Sequence, residues 1–104
     1  MAAYAVVLVN DVRDPEPLGR YREAVAPLVD RYGGTYLAAD LAPTAVEGPC
    51  PLGVVLIEFP RSEQLRAFYD GDDYAPLKTV RMQSGDFTFM IIEGLPRPQH
   101  RSPS

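Results

Sequence analysis

The chain has 104 residues, 46% of them hydrophobic and 23% charged, with a net charge of -4, which suits one domain with one core. The acidic balance, with no clustered Lys/Arg stripe, argues against a nucleic-acid surface, and no apolar run approaches the ~20 residues that span a bilayer. One cysteine, Cys50, excludes an intrachain disulfide and any multi-cysteine metal site. The N-terminus lacks a basic n-region, and Asn10 and Asp11 interrupt the apolar run, so a cytoplasmic protein is expected.

Ala3 to Val9 reads as a first strand, apolar on both of its alternating faces. Asn10-Asp11 turns the chain, and Pro15 and Pro17 precede a helix. Leu18, Tyr21, Val25, Leu28, Val29 and Tyr32 form one amphipathic stripe at spacings of three and four. Pro27 falls inside it and predicts a kink or a weakened turn. Gly33-Gly34 ends the helix, with Gly33 as the left-handed residue past the cap.

Thr35 to Asp40 reads as a second strand, with Tyr36, Ala38 and Asp40 on one face. A Pro- and Gly-rich loop runs to Leu52. Gly53-Val-Val-Leu-Ile-Glu-Phe-Pro60 is a third strand, closed by a proline without an N–H. Val55, Ile57 and Phe59 point one way, and Val54, Leu56 and Glu58 the other. Ser62 is expected to cap a helix carried by Leu65, Phe68 and Tyr69. Asp70-Gly71-Asp72-Asp73 then caps a further helical segment, Tyr74 to Met82. Phe87 to Glu93 is the last strand. Residues 1–95 are expected as one domain and residues 96–104, rich in proline, as a disordered tail.

The order βαββαβ predicts the ferredoxin-like split fold: an α+β, four-stranded antiparallel sheet with both helices on one face. The other face is then bare and strongly apolar. Such a patch is rare on a monomer, so a homodimer packed through the open sheet face is expected, with two-fold symmetry.

Tyr32-Gly33-Gly34-Thr35-Tyr36-Leu37, Glu47-Gly48, Val55-Leu56-Ile57-Glu58-Phe59-Pro60, Phe68-Tyr69-Asp70, Tyr74 through Arg81 and Ile92-Glu93-Gly94 occur in that order. In this the chain resembles the bacterial family called domain of unknown function 1330, over roughly residues 3 to 94. The resemblance implies a dimeric α+β barrel. That superfamily includes muconolactone isomerases, polyketide cyclases, cofactor-free monooxygenases and haem-degrading monooxygenases, so it implies a reaction only loosely. Members similar to this chain usually carry Arg-Gly near the end of the second strand. Here Asp40-Leu41 stands there, an anion in place of a cation.

Glu58 is the first candidate for chemistry: a carboxyl in an apolar strand, raised in pKa by desolvation, can act as acid or base. Its structural alternative is an ion pair with Arg81 or Lys78. Asp40 can approach Glu58 across neighbouring strands and share a proton with it, or be a solvated strand end. Arg81 can hold a substrate carboxylate or enolate, or bridge to Glu58. Tyr74, Tyr32 and Tyr69 can line a pocket for a planar substrate; Tyr74 is the strongest of the three, and packing is the alternative for the others. Asn10 and Glu47 are candidates for the pocket rim, turn capping being the alternative for Asn10. Cys50, between two prolines, has nothing near it to activate a thiolate. His100, the only histidine, lies in the tail, which disfavours a haem or zinc site and a Ser-His-Asp triad.

Three functions follow, in order. The first is an enzyme without metal or other cofactor, acting on a small molecule by acid–base chemistry as an isomerase, cyclase or lactone/enol hydrolase, with a polyketide-like natural product as one candidate substrate. The second is a dimeric binding or accessory protein without chemistry. The third is a cofactor-free monooxygenase.

Overall fold

The computed structural model describes residues 1–96; the expected tail from Arg97 onward, with His100, lies outside the described residues. Seven elements follow one another: β1 (Ala3–Val12), α1 (Pro15–Arg31), β2 (Thr35–Asp40), β3 (Gly53–Phe59), α2 (Ser62–Asp70), α3 (Ala75–Ser84) and β4 (Gly85–Glu93). The strands form one sheet in the order β2-β3-β1-β4, with every neighbouring pair antiparallel. This is the ferredoxin-like arrangement expected from the element order.

Alternation decides what each face does. Ala3 and Ala5 on β1, and Ile57 and Phe59 on β3, turn toward the helices and are buried with Val25, Leu28, Val29, Leu65, Phe68 and Tyr74. Alanines in the central strand leave room for large rings from the helices. Phe68 stacks at 5.7 Å from Phe59 and 4.6 Å from Tyr74, within the range where aromatic pairs add stability beyond burial. Gly34 makes the turn into β2 possible, because a Cβ there would lie 2.6 Å from Val29 and 2.8 Å from Phe59. Gly33 takes the expected left-handed conformation, at φ +87.

Pro27 lies inside α1, which continues to Arg31. Two local expectations are corrected. Ser62 is the first residue of α2, not its cap: Arg61 occupies that place, and no side chain closes it. Likewise Tyr74, not an aspartate, precedes α3, again without a side-chain cap.

A third correction concerns β2. Its register against β3 shifts between Tyr36 and Ala38, so a bulge at Leu37 breaks strict alternation. Tyr36 faces Ile57 and Ala39 faces Val55, on the helix side, while Ala38 and Asp40 pair with Leu56 and Val54, on the open face. Asp40 therefore does not share a face with Tyr36.

Candidate functional site

Between the helix side of the sheet and α1 lies a cavity of about 270 Å³. Val7, Val55 and Ile57 contribute its floor, Val25 and Val29 its roof, and Phe87, Phe89 and Phe68 further apolar walls. The side chains with polar atoms in the lining are Tyr21, Arg22, Tyr36 and Arg81.

Arg81 is the unusual member. It sits in the last turn of α3 and is only 4% exposed. Among the described residues no carboxylate pairs with it. Its one hydrogen bond there is from Nε–H to the Tyr74 hydroxyl, at 3.2 Å. The rings of Phe87 and Phe89 lie 5.4 and 5.5 Å from the guanidinium carbon, near enough for a cation–π contribution. A buried charge is costly unless paired, and here the pairing comes only from a phenol oxygen and two ring faces.

Tyr74 is fully buried and does not line the cavity. It stands behind the wall, where its hydroxyl also meets that of Tyr21 at 2.7 Å. Tyr21–Tyr74–Arg81 is thus a continuous hydrogen-bonded chain whose two ends reach the cavity. Burial holds the Tyr21 phenol well above its ordinary pKa, with Tyr74 reinforcing the effect and Arg81 opposing it. Burial likewise raises Tyr36. Both remain neutral near pH 7 and can donate a proton or a hydrogen bond.

This gives a prediction at high pH. The ordinary tyrosine value is 10.0. Below it Tyr21 is protonated in the folded and unfolded chain alike, and its contribution is fully present. Above it the unfolded chain releases the proton first, so stability falls as pH rises, by up to about 1.4 kcal/mol per pH unit for this group. Urea titrations between pH 9 and pH 11 should show that loss, and Tyr21→Phe should flatten it (pH values on the order of one unit either side of the tyrosine range). An unchanged slope in the variant assigns the loss to other groups.

The other candidates lie elsewhere. Glu58 is half-buried on the open face, opposite Tyr4 in β1, and accepts a hydrogen bond from its hydroxyl at 3.2 Å. The sheet separates it from Arg81, so the expected Glu58–Arg81 bridge does not form. Asp40 is opposite Val54, whereas Thr35 is opposite Glu58. Four residues of β3 therefore separate the two carboxylates, roughly 13 Å of strand, and the expected pair is not assembled. Asp40 instead accepts from the Ala42 N–H at 2.9 Å. Tyr32 donates to Asp73 at 3.4 Å, on the outside of the helices. Tyr69 packs between Tyr74 and Phe89, with Lys78 over its ring. Asn10 donates to Thr88 at 2.9 Å, and Glu47 is exposed in the long loop; neither lines the cavity.

Sequence reasoning passed over Tyr21 and Tyr36. Tyr21 was legible as part of the helical stripe, but nothing in the spacing marks its hydroxyl as cavity-facing. Tyr36 is brought there by the bulge, which no single-sequence signal announces.

The model of the family called domain of unknown function 1330 matches residues 2–95. The chain belongs to that family. Among curated protein sequences none matches. A protein of unknown function from Rhodopseudomonas palustris is 16% identical with a TM-score of 0.75, over 92% of this chain and 84% of that one. A dimeric ferredoxin-like protein of unknown function from Thermobifida fusca is 16% identical, TM-score 0.60, over 88% and 90%. An ethyl tert-butyl ether D (EthD) family protein from Bacillus halodurans is 15% identical, TM-score 0.63, over 91% and 100%. At these identities the likeness is one of fold. Among the described residues no helix is long and apolar enough to cross a membrane.

Proposed function

We propose that the cavity binds a small, largely apolar organic anion and stabilises negative charge developing on its oxygen, the chemistry of an isomerase, cyclase or lactone-opening enzyme. One observation carries this reading: a buried guanidinium with no carboxylate partner among the described residues, on the wall of an apolar cavity. A substrate oxygen against the free Nη groups of Arg81 supplies the missing countercharge. Tyr74 holds the guanidinium in place, and the neutral Tyr21 hydroxyl donates to the same oxygen or returns a proton to it. Water is a poor competitor, because the surrounding side chains are hydrocarbon.

Among the described residues no carboxylate or imidazole lines the cavity. This favours, as a second reading, binding without turnover, with Arg81 as the anchor in both cases. We further propose that the chain is a homodimer through its open sheet face. Val6, Leu8, Val54 and Leu56 lie there, with Met90 and Ile92 at 40% and 47% exposure, and the Thermobifida fusca protein of like fold is described as dimeric.

The chain has no tryptophan, so a naphthalene fluorophore reports binding without background. Naphthoate should bind at least about 30-fold more tightly than the neutral naphthylmethanol, the value of one charge-assisted hydrogen bond of about 2 kcal/mol. Equal affinity for the two, or none for either, overturns the anion site. Glu58→Gln should leave naphthoate affinity within about twofold, because the sheet stands between that residue and the cavity; distant sites of this kind behave independently. A tenfold loss there would return Glu58 to the site.

A further inference from the structure

The shape and donor set of the cavity narrow the class of anion, on the anion-site reading just given. An apolar cavity of about 150 Å³ takes up benzene. At about 270 Å³ this one accommodates a one- or two-ring body, roughly eleven non-hydrogen atoms by the same scale. Strand residues Val55 and Ile57 stand on one side and helix residues Val25 and Val29 on the other, an arrangement open to a planar body. The buried cation is the Arg81 guanidinium, whose Nε is already committed to Tyr74; the Tyr21 hydroxyl shares that partner, and Tyr36 and the exposed Arg22 complete the polar lining.

A carboxylate brings two strongly hydrated oxygens with about four lone-pair sites to satisfy. A phenolate or enolate brings one oxygen and spreads its charge into the ring, so less hydration is lost on entering hydrocarbon walls. We propose that the cavity takes a one- or two-ring phenol or enol and holds it as its oxyanion against Arg81. A neutral phenol would leave the guanidinium uncompensated; its anion pairs with it, so binding and ionisation are coupled. The ligand O–H bond breaks heterolytically. Both electrons stay on oxygen, and the proton passes to bulk buffer, since among the described residues no carboxylate or imidazole lines the cavity to receive it. Nothing is oxidised or reduced.

The probe is para-nitrophenol, whose phenolate absorbs in the visible range and whose neutral form does not. Titrated with the full chain across pH, the bound probe should ionise at least about one pH unit lower than the free probe, a tenfold change in the ionisation equilibrium. Calorimetry in two buffers of different ionisation enthalpy should register the released proton below the free probe's own midpoint. Arg81→Met should abolish the shift. Tyr74→Phe, which keeps the charge, should retain a downward shift. A shift that persists in Arg81→Met assigns it to another group and overturns the proposal. Nitrophenol that fails to bind, or that ionises no lower than in solution, overturns it too. If naphthoate still binds in that case, the anion site stands and only the phenol class falls. If naphthoate also fails, both fall.

Discussion

Replacing Arg81 by methionine is expected to make the fold more stable and the cavity non-functional. The two effects have one cause. Arg81 is 4% exposed and, among the described residues, has a phenol oxygen as its sole hydrogen-bond partner. Its desolvation is therefore incompletely offset in the unliganded chain. Replacing buried ionic groups by well-packed apolar ones is often stabilising by about 1–4 kcal/mol. Methionine is flexible enough to follow the path of the arginine stem. The Tyr74 hydroxyl keeps Tyr21 as a partner at 2.7 Å, so no buried hydroxyl is orphaned. A gain of about 1–2 kcal/mol would raise Tm by roughly 4–15 °C in a domain of this size. Naphthoate affinity should fall by about 100-fold or more, as expected when a desolvated charge partner costing about 3 kcal/mol is removed.

The opposed signs are what separate a functional residue from a structural one. Groups held at some cost to the fold are often found where the function needs them. If stability and affinity fall together, Arg81 is a structural cation and the anion site is lost with it. Arg81→Lys gives a graded control. It keeps a charge but not the planar fork or the Nε–H aimed at Tyr74, so it should bind naphthoate between the wild type and the methionine variant.

Much of this architecture was legible in the sequence. Period-two alternation in Ala3–Val9 and Gly53–Phe59 gave both faces of the central strands, and the helical stripe from Leu18 to Tyr32 gave the side on which the helices pack. Arg81 and Tyr74 were legible too, as a cation late in a helical segment and a phenol at its start. What sequence could not give was the side of the sheet on which the cavity lies. Glu58 drew attention because a carboxylate interrupts an apolar run, but the same alternation that buries Ile57 and Phe59 turns Glu58 away from the cavity. Asp40 was placed by counting from Tyr36, and one bulged residue at Leu37 reversed its face. Register slips of one residue invert every later side chain in a strand. The Tyr21–Tyr74 contact joins residues 53 apart, a separation that no local pattern encodes.

Leu56→Glu is expected to dissociate the homodimer while leaving the cavity intact. Leu56 lies on the open face between Val6 of β1 and Ala38 of β2, near the middle of the surface assigned to the partner sheet. In a two-fold interface each substitution acts twice, once from each chain. Burying an unpaired carboxylate costs about 3 kcal/mol or more, so with one from each chain the dissociation constant should rise by roughly ten-thousandfold. Analytical ultracentrifugation at micromolar concentration should show a dimer for the wild type and a monomer for the variant. Thermal stability should follow. A dimeric wild type gains about 1.4 kcal/mol per tenfold increase in protein concentration, and the variant should lose that dependence. Its folded fraction should still bind naphthoate, because the side chain points away from Ile57 and the cavity floor. A wild-type chain that sediments as a monomer, with Tm independent of concentration, would mean that something other than a second copy covers the apolar face. Loss of naphthoate binding by a folded monomeric variant would mean that the two faces of the sheet are coupled, so that the dimer shapes the cavity as well as covering the strands.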